Sequence, residues 1–540
     1  MVDQRGRQVR YVAAKVEKAL GALPVVADYC RRLDLAGIID RACPVRDLAY
    51  LSHGQVIEAL IANRLTSPAP LVRVVEWAEQ WAVEEVFGIA AEWLNDDRVG
   101  RALDAIAPEL DGIIGSVGAQ AISAFGLDVS RLHWDMTSIS LHGDFEVPDE
   151  DYPAPKYGHP KDRRHDLKQI QAGLAVTADG AVPVFHRAYD GNAGEVTQVV
   201  ATMTALTKMA TPRDFLLVGD SKLVSYANLV AMTDAGVTFL APASKTYVPA
   251  AVLARLDIHD AVEVDHVAER DLDKPAAQRG RWRVLEDTMT LAGPRKKDPV
   301  LTLRRVFVHS TARAQAAVTA RERKLDQARD DLTRLQRGLG SRHYLDVASV
   351  TARIAAISRA RRASALLTTT VGTDPTTGKP TLDWTFDEQA LAAEAALDGW
   401  HALLTNLDPA HADAPEVLRR YKGQEAVERR YGAFKGPLAV APMFLKNNRR
   451  IAALITVICL ALLIFCLIER QTRLAIAPQT TLAGLYVGRP AKPTGRLIFE
   501  ALARLRLIPA TAHEPPGIPQ PPPLQARLLT LLKVDPTKPR

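Results

Sequence analysis

Hydrophobic and polar residues alternate with a helical period through residues 1–128, and a strand-like two-residue period begins at about residue 129. The segment LSHGQVIEALIANRL has apolar residues three and four positions apart and begins after a possible N-cap, Ser52. The sequence Ser-Pro-Ala-Pro over 67–70 ends this predicted helix, and two further stretches repeat the helical pattern. We therefore expect a helical N-terminal domain, with DNA-end binding or packing alone as its alternative roles.

From residue 129 the pattern predicts a sheet. RLHWDMTSISLHG alternates like a strand, and a hairpin is predicted from Gly173–Thr177 and Val182–His186 around an Asp-Gly turn. A helix over 194–209 precedes the short apolar strand FLLVGDSKL. The predicted order over 129–237 is strand, strand, strand, helix, strand.

The remaining chain divides into three predicted parts. An insertion over 238–390 is strand-rich and then carries a helical hairpin, 313–362, broken at Gly338 and Gly340. It ends in a strand, and a helix and a further strand follow it. Residues 391–480 also contain a charged helix, 414–435, and an apolar helix, 447–475. The segment 481–540 is predicted to be a basic tail with one helix, Gly495–Leu507, and an extended Pro-rich stretch, Pro515–Pro523.

The run Ile451–Ile468 has eighteen residues without a charge, which is the length of a minimal membrane span. A buried helix of a large globular domain gives the same pattern. Because the run directly follows a charged helix, we favour the buried helix and expect no membrane association.

Composition narrows the protein class. The chain has 540 residues, 47% of them hydrophobic and 24% charged, which is typical of a multidomain globular protein. Its four cysteines are scattered without a CxxC pair, so we expect neither a disulfide framework nor a zinc site, and a reducing cytoplasm fits. The first residues show no signal-peptide pattern, and the chain shows no phosphate-binding Walker loop, so we expect no nucleotide cofactor.

Charge is concentrated near the end of the chain. Residues 489–540 contain nine Lys and Arg against three Asp and Glu, whereas the formal net charge of the whole chain is +6. Such a tail suits a phosphate backbone, and a solubilising role is the equal alternative.

Three acidic residues stand out by position. Asp135 lies inside a predicted strand and Asp220 at the end of another, where a carboxylate is costly unless something compensates its charge. Glu428 lies in the predicted charged helix, on one face with three other polar residues: Tyr421, Gln424 and Lys435. Three carboxylates suit two Mg²⁺ or Mn²⁺ ions, which take oxygen ligands and catalyse phosphodiester cleavage and transfer.

These segments resemble the motifs of insertion-sequence transposases with a ribonuclease H-like catalytic core. The helix resembles their Y-x2-R-x3-E-x6-K signature, except that Gln424 stands at the Arg position and supplies no charge. HWDMTSISLHG resembles the first Asp motif, and LLVGDSKLVSYANL, with Asn228, resembles the second. GNAGE, which contains Glu195, resembles a further feature of the family, and the likeness covers roughly 130–475.

The resemblance implies a multidomain α/β fold with a ribonuclease H-like mixed sheet, interrupted by a β-rich insertion. It implies that Asp135, Asp220 and Glu428 hold two Mg²⁺ ions, and that Tyr421 and Lys435 contact DNA. Gln424 remains a candidate phosphate contact. Trp282 of the insertion is either a base-stacking residue or a packed aromatic.

The function expected from the resemblance is strand cleavage and strand transfer at the terminal inverted repeats of an insertion sequence. The expected partners are double-stranded end and target DNA, bound by a homodimer in a paired-end complex in the cytoplasm, on the nucleoid. The alternatives are a catalytically inactive DNA-binding relative, a nuclease that cuts without joining, and a membrane protein.

Overall fold

The computed structural model describes residues 17–538 except 47–48, 144, 146–148, 211–214, 269–270, 273, 439–444 and 446. The prediction that the first residues are not a signal peptide concerns mainly residues 1–16, which lie outside the described part. Contacts divide the chain into a first unit, Met1–Gly219 with Gly423–Arg540, and a second unit, Asp220–Lys422. The five-part division expected from the sequence stays a prediction.

The first unit begins with helices, as predicted. Ser52 caps α3 in a capping box, because its hydroxyl accepts the Gln55 N–H while the Gln55 side chain accepts the Ser52 N–H. The helix ends at Thr66, just before the predicted Ser-Pro break. The elements are β1 (Lys18–Ala19), α1 (Leu23–Arg32), α2 (Leu35–Ala42), α3 (His53–Thr66), α4 (Val74–Gln80), α5 (Val83–Phe87), α6 (Asp96–Ile106) and α7 (Leu110–Phe125).

A mixed sheet follows in the predicted order of strand, strand, strand, helix, strand. Its elements are β2 (Arg131–Leu141), β3 (Lys168–Thr177), β4 (Pro183–Tyr189), α8 (Glu195–Ala210) and β5 (Leu216–Val218). The strands lie in the order β4-β3-β2-β5, with β2 antiparallel to β3 and parallel to β5. The predicted hairpin is β3–β4. A mixed α/β class is therefore confirmed.

The second unit contains an antiparallel sheet in the order β6-β12-β9-β8-β7. Its elements are α9 (Tyr226–Asp234), β6 (Thr238–Pro242), α10 (Ala250–Leu253), β7 (Val262–Val264), β8 (Trp282–Leu291), β9 (Leu301–Ser310), α11 (Thr311–Arg337), α12 (Val347–Ala360), β10 (Leu367–Thr373), β11 (Pro380–Phe386), α13 (Glu388–Ala395), β12 (Trp400–Thr405) and α14 (Ala414–Lys422). The two predicted helices, α11 and α12, pack together over Leu332, Val350 and Ile354.

Strand β10 is absent from the predicted pattern. Its sequence LTTTVGT has no buried residue and so carries little hydrophobic signal, yet it pairs along its whole length with β11. Backbone pairing with β11, together with the packing of the partly buried Leu367 and Val371 on the α11–α12 core, accounts for this strand.

The chain then returns to the first unit. The elements are α15 (Glu425–Lys435), α16 (Asn448–Ile476), β13 (Leu482–Tyr486), β14 (Arg489–Ala491), α17 (Gly495–Leu502), β15 (Arg506–Leu507) and α18 (Pro523–Leu532). The prediction of one helix over 414–435 is wrong, because the chain leaves the helix at Gly423 and Gln424. Glycine is a poor helix former, and the Gln424 side chain bonds to β2 instead.

Helix α16 is long and apolar enough to cross a membrane by length and composition, with a mean hydropathy of 3.2 in its most apolar window. That window is wholly buried within the protein, against α3, α6, α18 and β4 of the same unit. This burial agrees with the interpretation as a buried helix. Cys459 and Cys466 lie inside it as buried free thiols.

The predicted tail is more ordered than expected. Its first helix ends at Leu502 rather than Leu507, and a second helix, α18, follows the Pro-rich stretch. Leu528, Leu529 and Leu532 of α18 are buried, and α18 packs on α16. Strand β15 pairs with β1. The expectation of a single helix is wrong because this apolar face finds its partner only in the folded unit.

Candidate active site

The parallel pairing of β2 with β5 sets the position of the first two acidic residues. His133 lies opposite Val218, an offset of 85 residues along the chain. The same offset separates Asp135 from Asp220, which follows the last residue of β5 by two positions. Because β5 pairs in parallel register with β2, this equal offset brings the two carboxylates close together.

Glu195 joins these two residues. One ligand oxygen from each of Asp135, Glu195 and Asp220 lies within 4.8 Å of the others, and all three side chains are partly buried. Sequence analysis noted Glu195 within the GNAGE motif but did not count it as a site residue. Its signal was an acidic residue in the first turn of α8, directly after a glycine-bearing loop.

Gly191 holds the loop that leads to Glu195. A Cβ at Gly191 would lie 1.9 Å from the Gln169 carbonyl oxygen, so no larger residue fits without moving the backbone. The Gly191 carbonyl accepts hydrogen bonds from the side chains of Gln169 and Gln171, both on β3. The loop is therefore fixed to the strand beside β2, which positions the start of α8 near Asp135.

The loop between β2 and β3 brings Lys161 alongside β2, next to the acidic cluster. The Lys161 ammonium donates to the Met136 carbonyl at 2.5 Å and lies 3.5 Å from Asp135 Oδ1. The Lys161 N–H donates to the Ser138 hydroxyl, and the Ser140 hydroxyl donates to Asp162. Ser138 of the Asp-x-Thr-Ser motif thus anchors this loop, and sequence analysis missed Lys161.

Helix α15 packs on β2 and β3, and its buried residues include Val427, Tyr431 and Phe434, whereas Glu428 and Lys435 of the predicted polar face are exposed. The Gln424 amide donates to the Trp134 carbonyl and accepts from His133 Nδ1, each at 3.1 Å. The Tyr431 hydroxyl donates to the backbone carbonyl of Asp135 at 2.5 Å. Glu428 lies four residues after the first contact and three before the second, so it faces the same part of β2.

Glu428 itself is exposed and is not a member of the 4.8 Å cluster. Lys435, two turns further along α15, is also exposed, and burial of part of its side chain lowers its pKa, with Lys161 contributing. Tyr421 lies on α14, in the second unit, so the four predicted residues do not share one continuous helix.

Trp282 is a packed aromatic rather than an open stacking surface. Its side chain is 7% exposed, and the Lys422 ammonium lies over its ring, 3.5 Å from the centroid. Both residues belong to the second unit. This cation–π contact covers one ring face.

A buried ionic network joins α15 to α16, α17 and the β3–β4 turn. Arg430 donates to the carbonyls of Gly180 and Ala181 in the β3–β4 turn and pairs with Glu469 of α16 at 3.0 Å. Arg473 lies 2.9 Å from Glu469, whose carboxylate also accepts the Gly495 N–H. The network ties α15, α16, α17 and the hairpin into one support.

The donor chemistry of the acidic cluster fits a hard divalent cation. Three carboxylates supply oxygen ligands, which Mg²⁺ and Mn²⁺ prefer, and their partial exposure leaves room for water or phosphate. Carboxylates this close repel one another, and a divalent cation removes that repulsion.

Comparisons with known proteins add little to this geometry. A family model described as a domain of unknown function, DUF4277, matches residues 15–110. The search of curated proteins finds no match.

Two solved structures show a distant likeness. A piggyBac transposase synaptic complex with hairpin DNA is 9% identical, with 88% of this chain and 79% of that chain covered and a TM-score of 0.39. A Mos1 transposase paired-end complex with the left transposon end is 11% identical, with 44% and 80% covered and a TM-score of 0.15. Scores this low transfer neither fold nor function, so the functional argument rests on the residues of this chain.

Proposed function

We propose that the protein is a DNA transposase that cleaves and joins DNA strands at the terminal inverted repeats of an insertion sequence. The observation that carries the proposal is the meeting of Asp135, Glu195 and Asp220 within 4.8 Å, beside the helix that bears Glu428. Each of these residues lies in a segment that resembles a transposase motif, and the fold brings those separate segments to one place.

Asp135 and Asp220 are the proposed central ligands of two Mg²⁺ ions, for which Mn²⁺ can substitute. When bound, such ions activate a water or a 3′-hydroxyl and stabilise the leaving oxygen of the phosphodiester. Glu428 completes the ligand set from the α15 side, and Glu195 does so from the α8 side. The core is proposed to be ribonuclease H-like, on the strand order of its first unit.

Basic and polar groups around the cluster would hold the DNA backbone. Lys161 and Lys435 supply positive charge beside the acidic residues, and both act as point charges toward phosphate. Tyr421 is a proposed further contact. Gln424 remains a proposed DNA contact, although its amide already bonds to His133 and Trp134.

The proposed assembly is a homodimer that pairs two element ends and then attacks target DNA, in the cytoplasm on the nucleoid. The test is Mg²⁺-dependent cleavage of a labelled DNA that spans an element end, by wild type and by Asp220→Asn. We expect wild type to cut at the element boundary and Asp220→Asn to bind the same DNA without cutting it. Binding without cleavage by both proteins would identify an inactive relative instead, and equal cleavage would remove Asp220 from the mechanism.

A further inference from the structure

A cavity of about 570 Å³ lies in the helical N-terminal part of the first unit, away from the acidic cluster in sequence. Its size is that of a typical small-molecule site. Three arginines line it, Arg46, Arg98 and Arg101, together with His53. None of the described residues that line the cavity is acidic. The Asp40 carboxylate, outside this lining, acts on Arg98 and His53 and offsets part of the charge, but the three guanidinium groups leave the described lining positive, which suits an anionic ligand.

Two aromatic rings form the apolar part of the cavity. Tyr50 and Trp93 stack with their ring centroids 5.6 Å apart and an interplanar angle of 23°. Tyr50 is 84% exposed and Trp93 is 36% exposed. Aromatic side chains are stabilised by burial, so an exposed stacked pair is unusual. Its open ring face can stack with a further aromatic group.

Arg98 is held in place by one carbonyl and one imidazole. It donates to the Leu51 carbonyl at 2.8 Å and lies 3.3 Å from His53 Nδ1. Burial lowers the pKa of Arg98, and the neighbouring Arg101 lowers it further, so the two guanidinium groups lie close enough to repel. A phosphate between them would relieve that repulsion.

We propose that this cavity binds an unpaired nucleotide of a DNA strand, with its base stacked on Tyr50 and its phosphate held by Arg98 and Arg101. Aromatic platforms beside cationic grooves are the usual means of binding single-stranded nucleic acid. The choice of DNA rests on the proposed function, whereas the stacking and charge arguments rest on the cavity alone. The N-terminal part of the chain would then hold a strand where the duplex is opened.

The test measures affinity rather than cleavage. The full-length protein is titrated, without divalent metal, into a labelled blunt duplex and into the same duplex with a short single-stranded overhang. Tyr50→Ala should lower the affinity for the overhang probe by roughly tenfold or more, while the affinity for the blunt duplex stays unchanged. Tyr50→Phe keeps the ring and should keep wild-type affinity.

Two further variants sharpen the result. Val72→Ala is the control, since Val72 is an exposed apolar residue of the same helical part outside the cavity lining, and it should change neither affinity. Arg101→Gln should reduce the slope of log affinity against log salt by about one for the overhang probe.

Several outcomes would overturn the inference. An unchanged overhang affinity in folded Tyr50→Ala would remove the stacking role, and tighter binding of an RNA overhang would remove the assignment to DNA. Loss of a dimer in Tyr50→Ala, with DNA affinity intact, would make the cavity an interface between two copies. A wild-type protein that binds neither probe would contradict the proposed function itself, whereas binding of duplex alone would contradict only this inference.

Discussion

Two groups of carboxylates differ in how their charge is balanced. In the buried network, Glu469 is 4% exposed and lies between Arg430 and Arg473, at 3.0 and 2.9 Å. In the acidic cluster, three partly exposed carboxylates lie within 4.8 Å of one another, and Lys161 is 3.5 Å from Asp135. The first group pairs opposite charges, whereas the second gathers like charges.

This difference in charge balance indicates that the buried network stabilises the fold, whereas the acidic cluster is suited to metal-dependent chemistry. Burial alone would raise the pKa of Glu469, but Arg430 and Arg473 outweigh it and hold that pKa below its ordinary value. The network is therefore complete without any outside ion. The acidic cluster reaches the same balance most simply by binding a cation, which is the property that a metal-dependent enzyme needs.

The largest expected effect on stability comes from breaking the buried network. Arg430→Met removes one of the two guanidinium partners of the buried Glu469, and breaking a buried ion pair costs about 3–5 kcal/mol. Urea unfolding should show a clearly lower midpoint. Arg496→Met, which breaks an exposed pair with Glu500, should leave the midpoint nearly unchanged. An Arg430→Met midpoint equal to wild type would show that the network does not support the unit.

Substitutions in the acidic cluster should lower the cleavage activity rather than the stability of the protein. Asp135→Asn keeps the size of the side chain and removes the charge of a proposed metal ligand. Substitution of residues that only contact metal ligands lowers activity by up to about 100-fold, so loss of a ligand should lower the cleavage rate by at least roughly 100-fold. The unfolding midpoint should stay close to that of wild type. Glu500→Gln, at an exposed carboxylate of the same unit, should cleave normally. Wild-type cleavage by Asp135→Asn would place the chemistry elsewhere.

A pH titration tests the contact between α15 and β2. Burial lowers the pKa of His133 to about 4, and Arg131 adds to this, so the folded protein keeps the ring neutral. The unfolded chain accepts a proton near pH 6.5, so stability should be complete above that pH and be lost as the pH falls toward 4. His133→Gln should show a smaller loss over the same window. Identical pH profiles would contradict a buried neutral His133.

The smallest expected effect is the change in the protein's stability when one carboxylate of the acidic cluster is neutralised in the absence of metal. Asp220→Asn removes one of three neighbouring like charges and should raise the metal-free free energy of unfolding by about 1 kcal/mol or less. Added Mg²⁺ should stabilise wild type by mass action and should stabilise Asp220→Asn much less. Equal stabilisation of both proteins by Mg²⁺ would show that the ion binds elsewhere.

Some of this site could be predicted from the sequence. Asp135 stood out because it lies inside an apolar strand, and Asp220 because it directly follows another, and both conflicts are visible in the sequence alone. The Ser52 cap and the Pro break were visible for the same reason, since both are local signals. Glu428 stood out by its helical spacing and its motif.

Other parts depend on contacts between distant segments. Glu195 reaches the cluster because Gly191 packs against β3, and Lys161 reaches Asp135 because its loop bonds to Ser138. The helix break at Gln424 follows from bonds to β2 that lie about 290 residues away. No local pattern encodes such contacts.

The most direct test of the account is a change of metal preference at one ligand. Asp220→Cys replaces a hard carboxylate oxygen with a softer thiolate, which binds Mg²⁺ poorly and Mn²⁺ better. The account predicts that Asp220→Cys binds end DNA normally, cleaves it very slowly in Mg²⁺ and regains cleavage in Mn²⁺. Wild-type cleavage by Asp220→Cys in Mg²⁺, or no recovery in Mn²⁺ despite normal DNA binding, would contradict a metal centre built on Asp220.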